Sequence, residues 1–169
     1  MLHKLLTAFD RQHPLPTVSA HCDIPCKIYD PISAQLSALT MIRLCDLIDE
    51  LATKPALTIQ DQAQLARLVA QKEQHGIELK QHVTVIWGDY FKQPQFDQVA
   101  GVHDLVHRIM LQASKTKQHV DRAHALELLE LVNQFAEAFW LTKGVKTFRA
   151  QCPYPPEQVV AYPALSPQS

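Results

Sequence analysis

No stretch of the 169-residue chain approaches the roughly 18 consecutive apolar residues of a membrane-spanning helix, so no transmembrane segment and no membrane partner are expected. Charge of one sign is missing too. A formal net charge of −1, with nine dispersed histidines, leaves no electrostatic footprint for nucleic acid. Four cysteines in a chain this long do not form a disulfide framework, and only Cys45 and Cys152 stand apart from the pair near the N-terminus. These two read as plain buried or free thiols. No glutamate is followed three residues later by a histidine, so the Glu-x-x-His signature of di-iron helix bundles is absent. Convincing alternating strands are lacking as well.

What the chain does hold is concentrated early. The run His21-Cys22-Asp23-Ile24-Pro25-Cys26-Lys27-Ile28-Tyr29 crowds an imidazole and two thiols into six residues, directly after Val18-Ser19-Ala20. If the chain is cut before His21, the His21 nitrogen changes from an amide into an α-amine with a pKa of roughly 8, a competent metal donor near neutral pH. The Cys22 amide nitrogen and thiolate lie beside it, and Cys26 returns a second thiolate. Two nitrogens and two sulfurs in one plane point to nickel(II) or copper(II), because zinc prefers a tetrahedron and does not need main-chain nitrogens. Pro25 restricts the loop that folds Cys26 back, which lowers the entropy cost of closing it.

This hook resembles the start of the mature nickel superoxide dismutases, H-C-x-x-P-C-G-x-Y. The likeness continues at Lys72-Glu73-Gln74, at Val85-Ile86-Trp87-Gly88-Asp89-Tyr90-Phe91-Lys92 with Pro94 and Phe96, and at Phe139-Trp140-Leu141-Thr142-Lys143, covering about residues 21 to 144. The resemblance implies an oxidoreductase that dismutes superoxide to oxygen and hydrogen peroxide by Ni(II)/Ni(III) cycling, with one nickel ion per subunit. It implies His21, Cys22 and Cys26 as ligands, the His21 imidazole being axial in the oxidised state. Asp23, Pro25 and Tyr29 match positions lining the site, Tyr29 being placed to bond or gate the incoming anion, and Tyr90 matches a second position near the opening. A homohexamer, in which neighbours cover each hook, is implied as well.

Three positions depart from the family. Lys27 stands where the family usually has Gly, and Ser37 and His75 stand where many members carry a Glu and an Arg that orient the axial imidazole. Loss of such support typically costs roughly 10- to 100-fold in affinity or activity, which keeps open a second class: a nickel- or copper-binding protein of the same fold with little turnover. Lys27 also places a cation beside Cys26, where it would draw superoxide inward.

The leader, residues 1–20, ends like a signal-peptidase site. Its apolar stretch Leu5-Leu6-Thr7-Ala8-Phe9 is stopped by Asp10 and Arg11, short of the roughly 7 to 15 residues that an export signal needs. The resemblance instead implies a pro-segment removed by a dedicated peptidase in the cytoplasm.

The remainder reads as four amphipathic helices. Asp30-Pro31 opens the first, which carries an apolar stripe to about Ala52, and Thr58 with Asp61 opens a long second one ending near Tyr90. Val102 to Met110 marks a third, and His119 to Lys143 a fourth, stopped by Gly144. Four such stripes predict an all-α, antiparallel up-and-down four-helix bundle over residues 21–144. Residues 145–169 hold five of the eleven prolines and read as an extended Pro-rich tail. His103 and His107, spaced i, i+4, read as a solvated or core-edge pair rather than a zinc site. Lys72-Glu73-Gln74 reads as a charged helix face, and Trp87 and Trp140 as core or interface.

Overall fold

The computed structural model describes residues 27–165, so His21, Cys22, Asp23, Pro25 and Cys26 lie outside the described part. Asp30 Oδ1 accepts the Ile32 N–H at 2.8 Å and Pro31 precedes the first turn, which starts helix α1 (Ile32–Ala52) where Asp30-Pro31 predicts. Helix α2 (Ile59–Val85) opens on a capping box. Thr58 accepts the Asp61 N–H at 3.2 Å and Asp61 Oδ2 accepts the Thr58 N–H at 3.0 Å.

The predicted run to Tyr90 ends differently from its beginning. Residues Ile86–Tyr90 form a π turn, closed by the Phe91 N–H donating to the Ile86 carbonyl at 3.2 Å. An α-helical register would set residues five apart roughly 140° from each other around the axis. The wider turn lets both Ile86 and Phe91 face the core, at 3% and 1% exposure. A six-residue helix α3 (Gln93–Gln98) follows, then α4 (Val102–Gln118) and α5 (Arg122–Thr142), the last capped by Asp121 and stopped at Gly144 with φ +68°.

The long helices close a ring in the order α1, α2, α4, α5, each packing on two neighbours. Met41, Ile42, Leu79, Val83, Ile109, Leu128, Phe135 and Phe139 fill the interior with no exposed surface. The all-α bundle expected from the periodicity is therefore present, and among the described residues no helix is long and apolar enough to cross a membrane. Cys45 and Cys152 are free and buried, and burial pushes the Cys45 thiol up, so both fit the structural-thiol reading.

Two expectations need correcting. Lys72 does not belong to a charged helix face: it is 1% exposed, and its ammonium donates to the Thr116, Lys117 and His119 carbonyls at 2.6, 2.7 and 3.0 Å. It thus caps the C-terminal end of α4 from α2, while Glu73 and Gln74 are exposed.

The second correction concerns residues 145–169, whose described part is no extended tail. Strands β1 (Thr147–Gln151) and β2 (Val159–Pro163) pair antiparallel as a hairpin. Its outer edge is held by two buried amides: Asn133 Oδ1 accepts the Ala161 N–H at 3.1 Å, Asn133 Nδ2 donates to the Val159 carbonyl at 2.9 Å, and Gln35 Nε2 donates to the Ala161 carbonyl at 2.9 Å. Gln35 also donates to Asn133 Oδ1 at 3.0 Å, which ties α1 and α5 to the same point. Arg149 adds bonds from β1 to Glu130 and Glu137, two turns apart on α5. The strands are only five residues each, and of the five prolines only Pro163 falls within one, so the Pro-rich composition of the flanking residues masked them.

Candidate metal centre

Three peptide units join position 26 to Tyr29, so covalent geometry alone keeps the Cys26 Cα within roughly 11 Å of the Tyr29 Cα. Tyr29 is thus a described candidate close in sequence to Cys26. Its ring lies 5.8 Å from that of Tyr90. The Tyr90 ring rests on Phe91 and Phe139, with centroids at 5.4 and 4.8 Å. The segment entering α1, the π turn and the C-terminal end of α5 thus converge on one aromatic cluster. A cleft of about 240 Å³ adjoins it, lined by Ile28, Tyr29, Asp30, Ser33, His82, Val85 and Ile86.

The π turn has a role in this placement. By admitting one extra residue per turn it buries Phe91 while leaving Tyr90 half-exposed next to Tyr29. The Tyr90 hydroxyl shares a 2.7 Å bond with Thr142 Oγ1, and the Lys143 ammonium lies 4.3 Å above the Tyr90 ring centroid. Thr142 and Lys143 lie within the Phe139–Lys143 block that carries the resemblance, but the sequence alone assigns them no role. The usable signal was their place one turn after Phe139.

Lys27 is exposed and adopts φ +60°, the left-handed region that glycine enters freely. This position keeps the conformation that suits the family's usual glycine, at a strain of about 1–2 kcal/mol. Ser37 is buried on α1 and His75 half-buried on α2, and no hydrogen bond joins them. His75 Nδ1 lies 3.1 Å from Glu78 Oε2, too poorly aligned to count as a hydrogen bond, and is otherwise buried without a partner among the described residues. The Glu and Arg that the resemblance would place at these positions therefore have no hydrogen-bonded substitute between Ser37 and His75 among the described residues.

Among the described residues, no group of three or more His, Cys, Asp or Glu side chains is arranged to hold a metal. His103 and His107 do not alter this. His103 Nδ1 accepts the Trp87 indole N–H at 3.1 Å and its ring stacks on Phe96 at 4.2 Å, which makes it a packing residue. The ligands that the resemblance implies, His21, Cys22 and Cys26, lie outside the described residues. Thiolates and a main-chain nitrogen donate the electron density that stabilises nickel(III), so this donor set fits nickel.

The sequence profile of the nickel-containing superoxide dismutases matches residues 16–143. The superoxide dismutase [Ni] of Streptomyces coelicolor is 35% identical over 130 residues, covering 77% of this chain and 93% of that one. That of Streptomyces seoulensis is 34% identical over the same shares. A native nickel superoxide dismutase structure superposes with a TM-score of 0.62 at 32% identity, covering 73% of this chain and 99% of the other. Shared sequence through the hook and shared fold through the bundle agree: this chain belongs to the nickel-containing superoxide dismutase family.

Proposed function

We propose that this chain, once residues 1–20 are removed before His21, acts as a superoxide dismutase that converts superoxide to oxygen and hydrogen peroxide at an N-terminal nickel hook. The observation that carries it is the family match over residues 16–143, joined by the ring pair of Tyr29, three residues after Cys26 in sequence, and Tyr90, the last residue of the π turn, at 5.8 Å. When bound, nickel supplies one-electron exchange between its II and III states. The His21 amine and imidazole, the Cys22 amide and thiolate and the Cys26 thiolate would hold it, and Asp23 and Pro25 would line the hook. Tyr29 and Tyr90 narrow the approach and Lys27 and Lys143 give it positive charge, which suits a small anion. Family membership favours turnover over the alternative of a nickel- or copper-holding protein without it.

A dedicated peptidase in the cytoplasm exposes the His21 amine, and six subunits cover one another's hooks. Support for a cover comes from Ile28, which is 80% exposed beside the site, and from thiolates that oxidise when open to solvent. Mass spectrometry of natively produced protein, combined with metal analysis, superoxide decay and electron paramagnetic resonance, tests the reading. A chain starting at His21 with one nickel per subunit, rapid decay and a nickel(III) signal is expected. A trimmed chain that binds zinc or nothing, or that binds nickel without consuming superoxide, overturns it.

A further inference from the structure

The proton count at Tyr90 fixes which way its hydroxyl works. A threonine hydroxyl carries one proton. Thr142 Oγ1 donates that proton to the Phe139 carbonyl at 2.7 Å, and a carbonyl only accepts. The 2.7 Å bond between Tyr90 and Thr142 must therefore use the Tyr90 proton. Tyr90 is locked as a donor into the end of α5, so its phenolic oxygen presents only lone pairs on its remaining side. Above the same ring stands the Lys143 ammonium, 4.3 Å from the centroid, and it also reaches the Phe139 ring at 5.6 Å.

Building on the superoxide reading above, we propose that Thr142 and Lys143 are positioning residues of this site, Thr142 turning Tyr90 into a hydrogen-bond acceptor toward the opening and Lys143 holding a positive charge over its ring. An acceptor at that point binds the O–H of a water molecule and orients it. Tyr90 then organises solvent beside the hook, and the protons that peroxide takes up come from solvent rather than from the phenol. The cation offsets the repulsion that bare lone pairs would present to an incoming anion.

Ultraviolet resonance Raman of the tyrosine doublet, taken as the difference between the wild-type protein and Tyr90→Phe, reports whether that phenol donates or accepts, in metal-free and nickel-loaded protein alike. A donor signature is expected, lost in Thr142→Val, which keeps the shape without the acceptor, and kept in Thr142→Ser. A donor signature that persists in Thr142→Val overturns the assignment. For Lys143, superoxide decay is followed against ionic strength. Lys143→Gln is expected to lower the second-order rate severalfold at low salt and to flatten its salt dependence, whereas Lys143→Arg keeps both. An unchanged salt slope in Lys143→Gln overturns the charge role. Nickel-loaded wild-type protein that fails to consume superoxide would remove the functional reading and the kinetic half of this proposal together, while the Raman result would still decide the Thr142 and Tyr90 arrangement.

Discussion

At the scale of single residues, two lysines carry the unusual energetics. Lys27 holds φ +60° without being glycine, so its backbone is strained while its charge stands beside Cys26. Lys27→Gly relieves that strain but adds chain entropy to the unfolded state, and the two nearly offset. We expect a net gain within about 1 kcal/mol in denaturant unfolding, together with a weaker salt dependence of superoxide decay. A salt dependence equal to that of wild type would remove local steering by Lys27. Lys72 is the opposite case, a cation buried for structural reasons. Burial lowers its pKa, and the three carbonyl bonds are what keep the ammonium in place. Lys72→Met fills similar volume yet leaves those carbonyls uncapped, and we expect a loss of about 2–4 kcal/mol in unfolding free energy. Hydrogen exchange should locate the loss at the end of α4.

At the scale of elements, the starts of α1 and α2 follow from local chemistry alone. The pairs Asp30 with Pro31 and Thr58 with Asp61 place those helix starts from side-chain oxygens and fixed φ, and both bonds are present. The π turn was not legible, because its cause is a five-residue spacing between Ile86 and Phe91 that only the core reveals. The strands were hidden for a related reason: Gln35 and Asn133 lie within amphipathic helices, where nothing in the pattern marks them as the buried anchors of β2. The donors expected of the hook are neighbours in sequence and lie outside the described residues, whereas Thr142 and Lys143 meet Tyr90 only through the fold. The α2 cap also has a defined pH behaviour. The Asp61 carboxyl is drawn down from 3.8 to about 2, first by its bond from Lys54 and then by those from Thr58. A depressed carboxylate contributes stability above its unfolded pKa and loses it as pH falls through the folded value. The stability gap between wild type and Asp61→Asn should therefore be full at neutral pH and close as pH drops from near 3.8 to about 2. A gap unchanged across that window, measured by urea unfolding, would contradict the ion pair and cap.

At the scale of the whole molecule, the hairpin lies past the end of the family match at residue 143, yet it is built into the bundle core. Val160 and Ala161 are 0% and 1% exposed, so β2 is packed into the bundle rather than lying on its surface. The seam is polar at its centre: Asn133 Oδ1 and Nδ2 serve the Ala161 N–H and the Val159 carbonyl, and Gln35 serves the Ala161 carbonyl. The Arg149 pairs with Glu130 and Glu137 lie at the surface, where screening leaves each worth about 0–1 kcal/mol. The buried amides should therefore dominate docking. Asn133→Leu keeps the volume but leaves the buried Ala161 N–H, the part-buried Val159 carbonyl and the Gln35 amide short of partners, for an expected loss of about 1–3 kcal/mol. Arg149→Gln should cost well below that. Limited proteolysis between β1 and β2 and amide exchange over Val159–Pro163 provide the measurement, with far-ultraviolet circular dichroism reporting the helices. In Asn133→Leu the hairpin should open to cleavage while the helical signal persists, because the ring of α1, α2, α4 and α5 closes without it. If Arg149→Gln frees the hairpin as readily as Asn133→Leu, the surface pairs hold it and the buried amides do not.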